Sequence, residues 1–317
     1  MSRILDAAPG IQSALHPQGP QADAIAAMSW VLVIGAAAIL LIVLALAAYA
    51  VFGPDTRRAW VSSRRFIIAG GIVFPVVTLT ALLVYTLLLE TSVAARAEAP
   101  AARIAVIGHQ WWWRVHYLDA QGAVDFVTAN EIRIPAGRPV DLELSSADVI
   151  HSFAVPNLAG KLDMIPGRVN RMRLHAHAPG VFRGQCAEYC GGPHAKMAFY
   201  VIAESAERFD AWRESQRRPE SAADDAIAQR GRVLFMSNCI ACHTVRGSEA
   251  KGTLGPDLTH VGSRTTLAAG ILPNNRGTLA AWVSASQTIK PGNLMPAMNL
   301  FPGEDLLALA VYLESLK

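Results

Sequence analysis

Charged residues are scarce in this chain. Only 17% of its 317 residues are Asp, Glu, Lys or Arg, whereas 52% are hydrophobic. Disordered segments are rich in charge and coiled coils are built from charged heptads, so this composition disfavours both. The mean hydropathy of +0.29 is also too high for two ordinary soluble domains. Part of the chain is therefore expected to lie in a membrane.

The sequence also lacks a dense cluster of basic residues. Its formal net charge is only +3, and Lys and Arg are spread along the chain. A protein that binds nucleic acid needs basic side chains gathered on one face, because phosphate contacts supply most of the affinity. We therefore expect no nucleic-acid partner.

Charge is missing altogether from two long stretches, residues 24–54 and 66–89. A helix needs about 20 apolar residues to cross roughly 30 Å of hydrocarbon. The two stretches predict transmembrane helices at 28–52 and 66–90, with membrane lipid as their surroundings. Pro75 is expected to disturb the second helix. Two buried helices of a soluble protein are the alternative.

The connection between these helices, 53–65, is rich in arginine. It contains one acid and four arginines: Asp55, Arg57, Arg58, Arg64 and Arg65. The positive-inside rule places such a loop in the cytoplasm. The N-terminal segment 1–27 and everything after residue 90 would then face outward. We expect a multi-pass protein of a bacterial cytoplasmic (inner) membrane with both termini on the periplasmic side.

Three further regions follow. Residues 91–204 show short segments of alternating apolar and polar residues separated by Pro-Gly turns, which is typical of a small β-sandwich or barrel. Residues 205–225 are polar and predict a solvated linker, in which a helix could start around Phe209 and Trp212. Residues 226–317 have helical apolar spacing at both ends and predict a small α-domain. The fold class is therefore a multi-domain membrane protein.

The chain has only four cysteines, in two close pairs. The first pair, Cys186 and Cys190, is followed by His194 and Met197, and His151 stands on an earlier predicted strand. Thiolate, thioether and imidazole together favour copper. Two thiolates, two imidazoles and a thioether exceed what one ion needs, so two coppers bridged by both sulfurs are the economical arrangement. A structural zinc is the alternative, but zinc has no use for Met197.

The second pair belongs to the sequence Cys239-Ile-Ala-Cys242-His243. Its two thiols can add to haem vinyl groups, and the adjacent imidazole can become an axial iron ligand. A methionine opposite the histidine raises the haem potential, as an electron carrier requires. We predict Met295 as that ligand, with Met298 second. A thioredoxin-like dithiol or half of a zinc site is the alternative.

The first of these patterns resembles subunit II of haem-copper cytochrome c oxidases, whose CuA centre uses His, Cys-x3-Cys-x3-His-x2-Met. The resemblance covers about residues 25 to 204 and includes Gly-His-Gln-Trp-Trp-Trp at 108–113, Asp-Val-Ile-His-Ser-Phe at 148–153 and Pro-Gly-Arg at 166–168. It implies a cupredoxin-like all-β domain. It also implies that Cys186 and Cys190 bridge the two coppers. His151 and Met197 would be the terminal ligands of one copper, and His194 and the backbone carbonyl of Glu188 those of the other.

The same resemblance implies roles for two further groups. In the family, the side chain at the position of Glu188 helps to hold a magnesium ion at the interface with subunit I. A residue matching Trp111 is the point at which electrons from cytochrome c enter, although a fused donor could use another surface.

Residues 226–317 resemble a class I cytochrome c. The resemblance implies that Gly231 and Phe235 meet Tyr312, and that the Gly255-Pro256 turn aims a carbonyl at the His243 ring. A CuA domain followed by a cytochrome c domain resembles the caa-type oxidases.

The function implied is an electron relay in a cytochrome c oxidase. A cytochrome c or a cytochrome bc complex would donate to haem c, which would pass electrons to CuA and then to subunit I. Subunit I would reduce oxygen to water with proton translocation, beside a subunit III, and this chain would hold no catalytic residue. Three alternatives fit less well. A quinol-oxidase subunit II typically lacks these copper ligands, a nitrous oxide reductase needs a large propeller, and a copper chaperone has no use for haem.

Overall fold

A computed structural model of the chain describes residues 11–54, 59–94, 98–220 and 225–317. The predicted cytoplasmic arginines Arg57 and Arg58, with Asp55, lie outside the described residues. The chain divides into two compact units. One is formed by Pro20–Ala97, and the other by Met1–Gly19 together with Glu98–Lys317.

The first unit contains two helical spans, which are long and apolar enough to cross a membrane. Helix α1 is Pro20–Phe52, and the second span consists of α2 (Arg64–Ile68), a π-helical turn (Ala69–Val73) and α3 (Phe74–Ala94). Helix α1 thus begins before residue 28, where its start was predicted. Proline is favoured at a first helical position because it has no N–H to lose there.

The disturbance predicted at Pro75 takes the form of the π-helical turn at Ala69–Val73. A proline inside a helix donates no hydrogen bond, and its ring collides with the carbonyl four residues earlier, here that of Gly71. A widened turn is one of the few ways in which a helix accommodates such a break. The predicted position of the irregularity is therefore confirmed.

The second unit contains a β-sandwich of ten strands in two five-stranded sheets. The sheet orders are β3-β2-β1-β5-β8 and β4-β10-β9-β6-β7. The strands are β1 Arg103–His109, β2 Trp112–Leu118, β3 Val124–Ala129, β4 Glu131–Pro135, β5 Val140–Ser146, β6 His151–Ala154, β7 Lys161–Met164, β8 Asn170–Leu174, β9 Gly180–Cys186 and β10 Ala198–Glu204. This confirms the all-β domain predicted from the alternating pattern.

The two sheets enclose one aromatic core. Alternate residues of β1 and β5 are buried, as expected for strands with one face in a core. Trp113 packs edge-on against Phe199, with ring centroids 4.9 Å apart, and Phe199 stacks on Phe153 at 4.5 Å. Trp113 is fully buried, so the last tryptophan of the triple run is a core residue.

The solvated linker predicted at 205–225 is wrong for most of its length. Residues Ala206–Arg217 form helix α4, which starts with a hydrogen bond from the Arg208 N–H to the Ser205 side chain. Phe209 is buried, and Trp212 packs on the Tyr117 ring at 5.2 Å. The helix is therefore attached to the β-sandwich. Its polar composition belongs to the outer face of an amphipathic helix.

An N-terminal segment that no sequence pattern indicated packs on the same sandwich. The N–H of Arg183 donates to the carbonyl of Ile11 at 2.9 Å, and the N–H of Gln18 donates to the carbonyl of Asn157 at 2.7 Å. Residues 11–19 are therefore part of the second unit.

The C-terminal domain is helical, as predicted. It contains α5 (Ala226–Asn238), a 3-10 turn (Val261–Ser263), the short strands β11 (Thr266–Leu267) and β12 (Leu272–Pro273), α6 (Arg276–Ile289) and α7 (Gly303–Ser315). The Asp225 side chain accepts a hydrogen bond from the Ala228 N–H and so caps the start of α5.

Helices α5 and α7 cross where the sequence predicted. A Cβ atom added to Gly231 would lie only 2.0 Å from the carbonyl oxygen of Ala308, so only glycine permits this approach. The Phe235 and Tyr312 rings pack beside it with centroids 5.5 Å apart. This crossing supports the loop that carries Cys239, Cys242 and His243.

Candidate copper and haem sites

Strand pairing brings the first set of predicted metal ligands together. His151 begins β6 and Cys186 ends β9, and these two strands are neighbours in which Phe153 is paired with Cys186. The chain then forms a loop through Cys190 and a 3-10 turn at His194–Lys196, and returns to the sandwich at Met197. Two rigid strands and one short loop thus position every predicted copper ligand.

The donor atoms lie within a few ångströms of one another. The Cys186 Sγ atom is 3.8 Å from the Cys190 Sγ atom, 3.8 Å from His151 Nδ1 and 3.2 Å from the carbonyl oxygen of Glu188. The Cys190 Sγ atom is 3.4 Å from His194 Nδ1 and 3.8 Å from Met197 Sδ. The four residues His151, Cys186, Cys190 and Met197 are buried, and His194 is half-buried.

The environment favours one thiolate and opposes the second. Burial alone would raise the pKa of Cys186, but hydrogen bonds with His151 and with the backbone bring it below its usual value. Burial raises the pKa of Cys190 to about 12, and the charge of Cys186 adds to this effect. Cations bound between the sulfurs would offset that cost. The soft donor set fits copper, whereas a tetrahedral zinc would use neither the thioether nor the carbonyl.

Asp148 orients one of the imidazoles. Its Oδ1 atom is 2.8 Å from His151 Nε2, and its Oδ2 atom accepts the Gln110 N–H at 2.7 Å. The Nδ1 atom of His151 is thereby directed at Cys186. Such carboxylate–histidine pairs fix the ring of a metal ligand and strengthen it as a donor. Sequence reasoning did not assign this role, although Asp148 stands in the quoted segment at 148–153.

Replacing Asp148 by asparagine is therefore expected to weaken copper binding by about 10- to 100-fold, the usual cost of losing such a partner. The amide has similar size but no charge with which to hold the His151 ring. A copper titration against a competing chelator would measure the change. Asp141→Asn is the matched control, because Asp141 pairs with Arg173 on the exposed edge of the same sandwich. Equal affinities in the two variants would contradict the role of Asp148.

Trp111 covers the copper loop. Its Nε1–H donates to the carbonyl of Cys190 at 2.9 Å, and the Gln110 side chain donates to the same oxygen at 2.8 Å. Gly191 has a φ of +116°, and a Cβ atom there would lie 2.9 Å from the Trp111 ring. Glycine at 191 therefore allows the indole to rest on the loop. The tryptophan next to it, Trp112, instead stacks on His109.

The second predicted set surrounds His243. The ring Nδ1 atom lies 2.9 Å from the carbonyl oxygen of Pro256, and a Cβ atom at Gly255 would come within 2.6 Å of the ring. Burial lowers the pKa of His243, so the imidazole is neutral. With Nδ1–H donating to the carbonyl, Nε2 is left with a lone pair for iron. The predicted orientation of this ring is confirmed.

The two cysteines beside His243 are free thiols. Burial raises the pKa of Cys239 to about 11, so its sulfur stays protonated at neutral pH. The Cys-x-x-Cys spacing beside an oriented, neutral histidine fits covalent haem attachment.

Both candidate methionines line the same domain. Met295 and Met298 are half-buried and pack against its hydrophobic core. The Met295 carbonyl accepts hydrogen bonds from Ser286 and Gln287 at 2.9 and 2.7 Å. The Met298 N–H donates to the carbonyl of Val283 at 3.0 Å. Both are therefore held by the last turns of α6, and the choice of Met295 stays a prediction.

Comparison with known proteins matches these two sites to two families. The family described as cytochrome c oxidase subunit II, periplasmic domain, matches residues 120–204, and the family described as cytochrome c matches residues 228–317. Subunit 2 of the cytochrome c oxidase of Bacillus subtilis is 31% identical over 286 residues, which are 84% of this chain and 78% of that protein. This chain belongs to the cytochrome c oxidase subunit II family.

Other members of the family show the same relationship. Cytochrome c oxidase subunit 2 of Alkalihalophilus pseudofirmus is 43% identical over 215 residues, 68% of this chain. The chain spans 61% of the length of that relative. A crystal structure of the periplasmic domain of subunit II from Bradyrhizobium japonicum is 30% identical, with a TM-score of 0.35, over 38% of this chain and 96% of that one. The matches to these two families confirm the cupredoxin-like domain and the C-terminal cytochrome c domain.

The predicted magnesium ligand of this subunit II has a different partner in the structure. The Glu188 carboxylate is half-exposed and lies 3.7 Å from Lys161 Nζ. Within the described ranges, the group of three or more His, Cys, Asp or Glu donors close enough to share an ion is His151, Cys186 and Cys190.

Proposed function

We propose that this chain is the electron-transfer subunit of a haem-copper terminal oxidase, with subunits I and III as partners. A cytochrome c or a cytochrome bc complex is the proposed donor. The dinuclear copper centre and the covalent haem c, when bound, supply one-electron transfer toward the oxygen-reducing subunit I. The observation that carries the proposal is the convergence of Cys186, Cys190, His194, Met197 and the Glu188 carbonyl on His151 of the neighbouring strand β6, in a chain that also has a CxxCH motif.

The residues of this chain hold both sites rigid. Two copper ligands stand on paired strands, the Asp148 carboxylate fixes one imidazole, and an indole closes the loop from outside. A donor set that cannot rearrange keeps the same geometry when its charge changes, which favours fast electron transfer. In the cytochrome domain, the Pro256 carbonyl gives His243 the same fixed orientation.

Glu188 is the proposed exit toward subunit I. Its carbonyl belongs to the copper donor set, and its carboxylate is half-exposed on the same loop. A single residue thus connects the metal site with the surface. We propose that subunit I covers this edge and supplies the remaining ligands of a magnesium ion there, in place of the contact with Lys161.

The proposed location is a bacterial cytoplasmic membrane with both soluble domains on the periplasmic side. Two long apolar helices and a match to a periplasmic-domain family support it. The arginine-rich connection at 53–65 favours a cytoplasmic position for that loop.

Anaerobic mixing of reduced donor cytochrome with the purified oxidase would test the order of the relay. Haem c should be reduced first, the copper absorption should change next, and the haems of subunit I should follow. Reduction of subunit I before haem c, or without it, would contradict the proposed sequence of carriers.

A further inference from the structure

The cytochrome domain is attached to the copper domain through a buried cation. Lys290, at the end of α6, is only 3% exposed. Its Nζ atom donates to the carbonyl of Trp111 at 2.6 Å and to that of Ala268 at 3.2 Å. A buried amine is costly unless fixed acceptors surround it. Burial lowers the pKa of Lys290 to about 7, but both protonation states keep N–H groups for the two carbonyls.

A buried glutamate forms a second contact between the same two domains. Glu131, in the first position of β4, is 4% exposed. Its Oε1 atom accepts hydrogen bonds from the N–H and hydroxyl of Thr265 and from the N–H of Thr266, at 2.6, 2.5 and 3.0 Å. The N–H of Ala198 also donates to the carbonyl of Ala269. Several buried hydrogen bonds therefore join the domains, beyond the chain connection between them.

One residue of the copper domain, Trp111, contacts both this interface and the copper loop. Trp111 accepts the hydrogen bond of Lys290 through its carbonyl and donates to the carbonyl of Cys190 through its indole. A Cβ atom at Gly292 would be 4.0 Å from the Trp111 ring. The segment around Lys290 thus lies beside both the carbonyl and the ring of Trp111.

We propose that Lys290 is a positioning residue that clamps the cytochrome domain onto Trp111, so that this chain's own cytochrome domain occupies that surface in place of a diffusing donor. The inference rests on the proposed relay function. Trp111 then serves transfer inside the chain, and an external donor delivers its electrons to the cytochrome domain. This differs from the expectation that a fused donor could use another surface.

Hydrogen exchange on the purified oxidase tests the clamp without relying on turnover. The backbone N–H groups of Ala198, Thr265 and Thr266 are bonded across the interface, so their exchange reports docking directly. Lys290→Glu puts a carboxylate against two carbonyls and should speed exchange at these amides by roughly tenfold or more. Lys251→Glu, at an exposed lysine of the same domain, is the matched control and should leave exchange unchanged.

A second variant approaches the same interface from the copper domain. Glu131→Lys removes the acceptor for Thr265 and Thr266 and should speed the same exchange, with the haem spectrum intact. Unchanged exchange in either folded variant would overturn the clamp. Missing copper or haem in the wild-type chain would instead overturn the proposed function, and the exchange result would still stand.

The claim about the donor has its own test. In Cys239→Ser plus Cys242→Ser, which cannot attach haem covalently, reduced donor cytochrome should reduce copper at least about tenfold more slowly than in the wild-type chain, because Trp111 is covered. Reduction at the wild-type rate would show that the Trp111 surface is open, and would contradict the proposal.

Discussion

Oxygen uptake is expected to stop when Cys186 and Cys190 are both replaced by serine. Serine has nearly the same size, but its hydroxyl is a hard donor that stays protonated, so both bridging thiolates are lost. Removing the hydrogen-bond partner of a metal ligand lowers metal affinity by up to ~100-fold. Losing both thiolates should lower copper affinity by far more than that. Metal analysis and oxygen consumption of the assembled oxidase would measure both effects.

The haem of the same variant is its internal control. The cysteines of the CxxCH motif and His243 lie in the helical domain, whose hydrophobic core is separate from that of the sandwich, so donor cytochrome should still reduce haem c. The expected result is therefore a chain with a reducible haem, no copper and no turnover. Unchanged oxygen uptake would show that electrons reach subunit I without the copper centre, and the relay would be wrong.

Replacing Met295 by leucine is expected to remove an iron ligand, so that haem c is no longer six-coordinate and low-spin. Its reduction potential should fall by roughly 0.1 V or more. Leucine fills a similar volume, so packing changes little, but it offers no thioether to the iron. The Met295 carbonyl accepts hydrogen bonds from Ser286 and Gln287, and the Met295 N–H donates to the Asn293 side chain, which keeps this segment in one conformation. Absorption spectra and a redox titration would measure the change.

Met298→Leu is the matched control for this experiment. Both methionines are half-buried in the same core, so both variants lose one thioether at equal volume. The spectrum and potential should stay close to wild type in Met298→Leu. The opposite pattern would make Met298 the axial ligand.

The chemistry of both sites could be predicted from the sequence because it depends on residue types at short spacing. Cys186, Cys190, His194 and Met197 fall within one loop, and only His151 had to be brought in by strand pairing. The alternating strands and the proline in the second membrane helix could be predicted in the same way, since their signals are local.

The contacts between domains could not be predicted from local patterns. Lys290 is 179 residues from Trp111 in sequence, and Glu131 is 134 residues from Thr265. The sequence around Lys290 or Glu131 has no pattern that predicts a buried side chain at either position. Helix α4 was predicted only as a helical start around Phe209 and Trp212 within a solvated linker, for a related reason. Its polar face dominates its composition, whereas two aromatic side chains, Phe209 and Trp212, dock it on the sandwich.

The contacts between the two domains argue against a cytochrome domain that is held near the copper site only by a flexible linker. A flexible linker would raise the effective concentration of the donor near the copper site. The structure instead has α4 on the sandwich and buried hydrogen bonds between the domains. A docked cytochrome domain does not have to diffuse to the copper site. Electron transfer from haem c to copper should therefore depend little on ionic strength.

Metal analysis combined with optical and electron paramagnetic resonance spectra of the purified chain is the most direct test of the central claim, because one sample tests both sites. The account predicts two coppers that share one unpaired electron, beside one low-spin haem c per chain. Zinc in the loop of Cys186 and Cys190, or a metal-free β-domain with haem alone, would contradict it.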